Sequence, residues 1–293
     1  TDAVKTNTVY TETSTTYIDI HDNMQMLSDS KTVLWTSEQG GFNHFYLIDV
    51  TTGKATQVTK GNWEVTSGYG LDEATNTIYF QAAKVNATQR EIYSVKTDGS
   101  DLKLLSINAG TNEAEFSATY KYFLLYHSDA NNPFTVSIHS NFKKSKLKKP
   151  LIIEDNAELK KRMKEYDLSD KTFMTVKNAE GTELNSWMIK PSNFDATKKY
   201  PVLMFVYGGP GINTVNDAWT YGNYFWFQSL AQQGYIVVSV DARGTGYRGK
   251  DFKHCTYQQL GKYETEDQIA AAKELGKMDY VDLSRIGIFG WSY

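Results

Sequence analysis

The chain has 293 residues, of which 40% are hydrophobic and 22% are charged, a balance that is ordinary for a globular protein with a sizeable core. A net charge of −3 argues against nucleic acid as a partner. The single cysteine, Cys255, excludes an internal disulfide and a cysteine metal cluster. No run approaches the roughly 18 apolar residues that a membrane span requires. The polar residues 1–5 do not resemble a signal peptide, and we expect the chain to start inside a longer protein.

Residues up to about 150 predict repeated β-hairpins. Each of three units reads strand, loop, strand, turn, strand, and Leu34, Tyr79 and Phe123 take matching places at spacings of 45 and 44 residues. Such a period with short strands is typical of propeller blades, and a β-sandwich is the alternative. The basic run at residues 143–149 is interpreted as a solvated hairpin or linker.

The pattern changes near Asp155. Helices are predicted at residues 156–166, capped by Asp155 or Asn156, and at residues 224–233 and 264–277. A hairpin is predicted around Glu180 and Gly181, and continuous apolar strands follow at residues 201–207, 235–241 and 285–290. Apolar strands that alternate with helices predict a mostly parallel sheet covered on both faces.

The last four residues carry the strongest chemical signal. Gly290-Trp291-Ser292-Tyr293 fills four of the five positions of the nucleophile elbow G-x-S-x-G, and an apolar strand precedes it as the motif requires. A tight turn would lift the Ser292 hydroxyl above the sheet edge. Gly290 would be needed because the crowded turn leaves no room for a side chain. A serine turn that merely ends a strand is the alternative interpretation.

Two glycine-containing loops also follow predicted strands. Tyr207-Gly-Gly-Pro-Gly211 stands where α/β-hydrolases place part of the oxyanion hole, although a plain strand-to-loop turn would look the same. The loop at residues 241–247 contains Arg243 but lacks the G-x-x-x-x-G-K-[ST] phosphate motif. We therefore expect Arg243 to brace the loop by hydrogen bonds to backbone or carboxylate groups.

Taken together, these motifs resemble the prolyl oligopeptidase clan of serine peptidases, most closely its dipeptidyl peptidase IV members. The residues that carry the resemblance are Trp35-Thr-Ser-Glu, residues 58–65, residues 153–159, Lys199-Tyr-Pro-Val-Leu, Tyr207-Gly-Gly-Pro, Asp241-Ala-Arg-Gly-Thr-Gly-Tyr, Glu266-Asp-Gln-Ile and Gly290-Trp-Ser-Tyr. The resemblance implies an eight-bladed propeller that caps an α/β-hydrolase. On that basis, residues 1–154 are expected to be closing blades of a β-propeller. Residues 155–293 are expected to be the N-terminal part of the α/β-hydrolase domain.

The resemblance also implies roles for individual residues. Ser292 would be the acylating nucleophile, and the Tyr207 hydroxyl and the Tyr293 backbone N–H would stabilise the oxyanion. The Tyr293 ring and Trp291 would contact the substrate. The implied reaction removes X-Pro or X-Ala dipeptides from peptide N-termini through an acyl-enzyme, without a metal or cofactor.

Some parts of that machinery are expected outside these residues. In this fold the acid and the histidine follow the nucleophile, so both are expected beyond residue 293. The glutamate pair that holds the substrate amino group in this family is expected before residue 1. Serine without a base is a poor nucleophile, so residues 1–293 alone are expected to show no turnover.

Chain order also bears on the histidines, since all five precede Ser292. Each is predicted to be a surface or loop residue rather than the catalytic base. They are His21, His44, His127, His139 and His254. His254 and Cys255 are adjacent in sequence and are not expected to form a catalytic pair, because such partners meet through the fold.

Two other functions fit the same sequence. A clan relative could act as a prolyl endopeptidase or acylaminoacyl peptidase, and a propeller with a decayed hydrolase could serve only in binding. Intact Ser292, Tyr207 and glycines argue against decay. The resemblance implies a homodimer for the longer protein. The low cysteine content and a Thr-, Asn- and Lys-rich surface favour a bacterial periplasm or cell envelope.

Overall fold

The computed structural model describes residues 6–142 and 144–293, with Tyr221 described by its backbone alone. The opening residues 1–5 and Lys143, the first residue of the basic run, lie outside the described residues. The other lysines of that run are exposed and lie in turns and irregular backbone, as a solvated linker would. Within the described residues, none of the helices has both the length and the apolar composition needed to span a bilayer.

The described part of the first half consists of three four-stranded antiparallel sheets, each with its strands in sequence order. The first contains β1 (Gln25–Met26), β2 (Thr32–Ser37), β3 (His44–Asp49) and β4 (Ala55–Gln57). The second contains β5 (Glu64–Asp72), β6 (Thr77–Ala83), β7 (Glu91–Lys96) and β8 (Lys103–Leu104). The third contains β9 (Thr111–Phe116), β10 (Tyr122–Ser128), β11 (Thr135–Ser140) and β12 (Leu151–Glu154).

The predicted three-strand units are present, and each sheet has one further strand at its start. Leu34, Tyr79 and Phe123 are all buried in the second strand of their sheets. The sequence concealed the extra strands for local reasons. β1 has only two residues, β5 is interrupted at two irregular pairings, and β9 is largely polar.

The three sheets pack face to face through alternate side chains of their strands. Tyr93 and Val95 of β7 join a core shared with the first sheet, whereas Ile92 packs with Phe123 and Leu125 of the third. This two-sided use of one strand follows from the period of two residues. Each large apolar side chain buried in this way contributes about 1.5–3 kcal/mol.

The second half forms a five-stranded mixed sheet flanked by helices. Its strands, in spatial order, are β13 (Lys171–Lys177), β14 (Glu183–Ile189), β16 (Ile236–Val240), β15 (Tyr200–Val206) and β17 (Val281–Gly290). The helices are α1 (Ala157–Met163), α2 (Tyr221–Gln232), α3 (Lys250–His254) and α4 (Lys262–Leu275). The three longer helices match predictions to within a few residues, and the five-residue α3 was not predicted. The structure places the N-cap of α1 at Asn156, one of the two predicted residues, but the Asn156 side chain makes no capping hydrogen bond. The Asp155 carboxylate accepts the Ala157 backbone N–H at 2.9 Å instead.

The expectation of a mostly parallel sheet is only half right. β15 pairs in parallel with β16 and β17, but the β13–β14 and β14–β16 pairs are antiparallel. The predicted hairpin at Glu180 and Gly181 accounts for the first antiparallel pair, because a short turn reverses the chain.

Both faces of the sheet centre are covered, as predicted. All five residues of β16 are buried. Ile236 and Val238 pack in a core with Leu275 of α4, whereas Val237 packs in another with Phe227 of α2. Most of β17 is exposed along the sheet edge.

The two halves meet through specific polar contacts. The Asp217 carboxylate accepts the Ala130 backbone N–H at 2.9 Å and the Gln89 amide at 2.8 Å. The buried Glu64 carboxylate accepts the Gly249 backbone N–H at 2.7 Å. These bonds tie the loops of the mixed sheet to the antiparallel sheets.

The histidine prediction is wrong for most positions. His44, His127 and His139 lie in strands β3, β10 and β11, and His44, His139 and His254 are buried. A neutral imidazole is tolerated in a core where its nitrogens are bonded. His44 illustrates this, because its Nε2 lies 2.9 Å from the Gly61 carbonyl and its Nδ1 lies 3.0 Å from Thr59 Oγ1.

These histidines should make stability depend on pH. Burial lowers the pKa of His44, against a smaller opposing effect of its hydrogen bond to Gly61. The pKa of histidine in an unfolded chain is about 6.5. Below that pH the unfolded chain binds more protons than the folded chain, so the free energy of unfolding falls. When the pH falls from 7.5 to 5.5, the free energy of unfolding of His44→Gln should decrease by about 1 kcal/mol less than that of the unchanged protein. Urea unfolding at the two pH values measures this difference.

The matched control is a second pH interval. Between pH 7.5 and 8.5 the imidazole is neutral in both states, so the two proteins should change in parallel. Equal losses of stability below pH 6.5 would contradict the assignment of His44 as a buried neutral histidine.

Candidate active site

The predicted chemical residues converge at one edge of the mixed sheet. Val206 at the end of β15 pairs in parallel register with Gly290 at the end of β17. Tyr207 and the Trp291-Ser292 pair therefore leave the sheet side by side. The carboxyl ends of parallel strands are where open α/β sheets bind ligands.

Ser292 lies in a sharp, strained turn. Its φ of 77° falls in the left-handed region that few side chains occupy. The Tyr293 backbone N–H closes the turn on the Trp291 carbonyl at 3.1 Å. A Cβ at Gly290 would lie 2.6 Å from the Val206 carbonyl oxygen, which gives a physical reason for the glycine that the motif requires.

The glycines of the Tyr207 loop serve packing within the protein. A Cβ at Gly209 would lie 2.5 Å from the Tyr207 ring, so this glycine leaves room for the ring itself. The Gly211 backbone N–H donates to the Gly244 carbonyl at 2.8 Å, and a Cβ at Gly246 would lie 2.8 Å from the Gly211 carbonyl. The loops after β15 and β16 thus fit together backbone to backbone.

Of the predicted site residues, the structure brings Tyr207, Ser292 and Tyr293 together. The Tyr207 and Tyr293 rings lie 6.4 Å apart between centroids, at an interplanar angle of 41°. Neither the Tyr207 nor the Ser292 hydroxyl bonds to another described residue, so both are available to a ligand. Trp291 is 80% exposed and contacts no other described aromatic ring, so it stands apart from the tyrosine pair.

Glu264 is a site neighbour that the sequence did not reveal. Its buried carboxylate, in the first turn of α4, accepts the Tyr293 hydroxyl at 2.8 Å. An acidic residue at that position ordinarily indicates a favourable interaction with the helix N-terminus. The sequence contains no signal that would connect it with Tyr293, because the contact forms only in the folded chain.

A cavity of about 460 Å³ lies between α4 and the β15–β17 edge. Its lining is mainly apolar and includes Tyr207, Glu264, Gln268, Ile288 and Tyr293. The site edge is therefore concave and borders both tyrosine rings.

Arg243 stabilises the loop that follows β16, and the prediction that it bonds to carboxylates is confirmed. Its Nη2 donates to Asp267 Oδ1 at 2.8 Å, and its backbone N–H donates to Asp267 Oδ2 at 2.8 Å. Its Nη1 donates to Glu180 at 2.8 Å. Asp267 is fully buried in α4, so this pair fixes the helix against the β16 loop.

Removal of Asp267, the buried partner of Arg243, should lower the free energy of unfolding. Asp267→Ala would leave the Arg243 guanidinium without its buried counter-ion, and we expect a loss of about 3 kcal/mol in unfolding free energy. Chemical denaturation monitored by tryptophan fluorescence measures this.

Glu180→Ala is the matched control because Glu180 contacts the same guanidinium from the surface, with 62% of its side chain exposed. Its loss should stay below about 1 kcal/mol. Equal effects for the two variants would contradict the bracing role of the buried pair.

A second polar cluster joins the halves of the chain away from Ser292. The ligand atoms of Asp19, Glu38 and His254 lie within 4.8 Å of one another, a spacing that a metal ion could use. Lys253, however, already donates to Asp19 and, at 2.5 Å, to Glu38. The single ammonium group offsets one of the two negative charges and bonds to both carboxylates, so the cluster forms a salt bridge between the two halves.

His254 and Cys255 do not pair, in agreement with the prediction. His254 Nδ1 lies 2.6 Å from Thr16 Oγ1, and the Cys255 thiol donates to the Phe252 carbonyl at 3.1 Å.

Comparison with known proteins gives matches over both halves. The family model described as the dipeptidyl peptidase IV (DPP IV) N-terminal region matches residues 1–134, and that of the prolyl oligopeptidase family matches residues 222–293. The crystal structure of Porphyromonas gingivalis dipeptidyl peptidase 4 is 39% identical and aligns with a TM-score of 0.90 over 97% of this chain. The chain belongs to the prolyl oligopeptidase family.

Two curated fungal proteins are also similar to this chain over most of its length. A protein named probable dipeptidyl-aminopeptidase B, from Arthroderma otae, is 40% identical over 86% of this chain and 27% of its own length. Dipeptidyl peptidase 4 of Trichophyton equinum is 37% identical over 88% of this chain and 33% of its own length. The chain thus spans about a third or less of these curated relatives, and 40% of the P. gingivalis structure.

Proposed function

We propose that the full-length protein is a serine exopeptidase that releases X-Pro or X-Ala dipeptides from the amino terminus of peptides. The observation that carries the proposal is the strained turn at Ser292, which stands beside Tyr207 at the end of paired parallel strands. The names of the similar proteins support the same reaction class.

In the proposed reaction, Ser292 Oγ attacks the carbonyl carbon of the second substrate residue, and its proton passes to a histidine supplied beyond residue 293. The carbonyl oxygen becomes an oxyanion that accepts hydrogen bonds from the Tyr207 hydroxyl and the Tyr293 backbone N–H. In the structure, that Tyr293 N–H donates to the neutral Trp291 carbonyl. A charged oxyanion competes well for the same proton, since charge-assisted hydrogen bonds are stronger.

Collapse of this intermediate breaks the peptide C–N bond. The amine leaves with the proton from the histidine, and an ester to Ser292 remains. Water then attacks the ester, the dipeptide leaves as its acid, and the serine hydroxyl is restored. The Tyr293 ring, which is partly exposed, would contact the second substrate residue.

The same proposal assigns the two halves. The three stacked antiparallel sheets within residues 1–154 would be closing blades of a β-propeller, and residues 155–293 would begin the α/β-hydrolase domain. The shared size and strand order of the three sheets support this division. A homodimer and a location in a bacterial periplasm or cell envelope belong to the same proposal.

The test uses the full-length protein with three probes. We expect a fluorophosphonate to label it, and Gly-Pro-aminomethylcoumarin and Ala-Pro-aminomethylcoumarin to be hydrolysed. N-acetylated Gly-Pro-aminomethylcoumarin should be inert, because an exopeptidase of this type needs the free amino group.

Preferential cleavage of the acetylated substrate would instead identify an endopeptidase or acylaminoacyl peptidase. A folded protein that resists the fluorophosphonate would be a binding module without serine chemistry.

A further inference from the structure

We propose that Glu264 is a positioning residue: its carboxylate holds the Tyr293 hydroxyl and thereby fixes the turn that carries Ser292. The inference rests on the proposed peptidase function. Glu264 makes no hydrogen bond to Ser292 or to Tyr207, whose hydroxyl is the proposed oxyanion donor.

The sheet fixes the residues on the N-terminal side of the Ser292 turn. Gly290 pairs with Val206 in β17, which fixes the backbone up to the residue before Trp291. Ser292 itself has a φ of 77°, a conformation that persists only when surrounding contacts hold it. A second anchor is therefore needed after the serine.

Tyr293 supplies that anchor through its side chain. Its hydroxyl lies 2.8 Å from Glu264 Oε1, a distance at which the phenol donates to the carboxylate. Partial burial and the neighbouring carboxylate both raise the pKa of the Tyr293 phenol, so it keeps its proton at neutral pH. The bond links the residue after the nucleophile to the first turn of α4.

Glu264 is itself held in place. It is 6% exposed and lies on α4, the helix that Asp267 ties to Arg243. A rigid support of this kind distinguishes Glu264 from a surface carboxylate, whose bond to a tyrosine would be loose.

Helix capping is the competing explanation for Glu264. A glutamate at the third helical position often reaches back to the backbone N–H of the cap residue, here Gly261. Glu264 Oε1 instead accepts the Tyr293 hydroxyl, and Oε2 is buried without a hydrogen-bond partner among the described residues. Neither carboxylate oxygen therefore caps the helix by accepting the Gly261 backbone N–H, and Oε1 is bonded to Tyr293 instead.

The geometry makes a kinetic prediction. The backbone N–H of Tyr293 acts on the oxyanion only in the transition state, so a displaced turn lowers kcat more than it raises KM. Glu264→Ala and Tyr293→Phe should each lower kcat for Gly-Pro-aminomethylcoumarin about tenfold, the scale of one hydrogen bond. Because both variants remove the same bond, the double variant should be no slower than either.

Two further variants separate positioning from general stability. Glu264→Gln keeps a carbonyl oxygen that can accept the phenol, so its kcat should stay within about threefold of the unchanged protein. Glu274→Ala removes a carboxylate near the other end of α4, with 38% of its side chain exposed, and should leave kcat unchanged.

The inference would be overturned if Glu264→Ala kept full kcat, or if its effect and that of Tyr293→Phe simply multiplied. In either case hydrolysis by the unchanged protein leaves the proposed function standing. If the unchanged protein neither hydrolyses the substrate nor reacts with a fluorophosphonate, the peptidase function fails and the positioning role fails with it.

Discussion

Replacement of Ser292 by alanine should lower kcat for Gly-Pro-aminomethylcoumarin by about 10⁶-fold in the full-length protein, the scale seen when a serine nucleophile is removed. The substitution removes the only atom that forms the covalent intermediate. Ser292 follows β17, and its side chain makes no hydrogen bond to another described residue, so the fold should be retained. Active-site titration with a fluorophosphonate gives a second readout and should fall to zero.

Ser284→Ala is the matched control for this substitution. Ser284 is an exposed serine on β17, the strand that precedes Ser292, and its hydroxyl donates to Asp282 at 2.6 Å. Its activity should equal that of the unchanged protein. If Ser292→Ala kept more than about one per cent of the activity, another residue would have to be the nucleophile.

Tyr207→Phe should lower kcat by about 10²–10³-fold with little change in KM, since it removes one oxyanion donor and keeps the ring. The ring contact with Tyr293 and the packing against Gly209 depend on carbon atoms that phenylalanine retains. Steady-state kinetics on Gly-Pro-aminomethylcoumarin would separate the two parameters.

Tyr235→Phe makes the same chemical change on a partly exposed ring just before β16. It should leave kcat unchanged. A Tyr207→Phe variant that lost only substrate affinity would show that the phenol binds the ground state and does not stabilise the transition state.

The parts of the fold that the sequence predicted are those with a strong local pattern. The apolar run of β16 and the hairpin of β13 and β14 were recognisable because strand periodicity and turn residues agree. The sheet was less parallel than expected, since the sequence does not state that β14 lies between β13 and β16. The edge strand β9 was missed because its residues are largely polar.

In the site, too, the features with a local sequence pattern were predicted and those that depend on long-range packing were not. Ser292 and Tyr207 stand next to strand ends within recognisable motifs, so their convergence could be predicted. The bond from Tyr293 to Glu264 joins residues 29 positions apart and depends on how α4 packs. His44 was misjudged because its partners, Thr59 and Gly61, belong to a separate segment that closes over it.

The close fit between the two glycine loops has a consequence for how the sequence can vary. Even a methyl group at position 246 would press on the Gly211 carbonyl and shift the segment that carries Tyr207. In a survey of random variants, we therefore expect substitutions at Gly246 to lower activity, although Gly246 has no side chain to take part in the reaction. We therefore expect the residues that the site tolerates to be limited also along the backbone surface against which the Tyr207 loop packs.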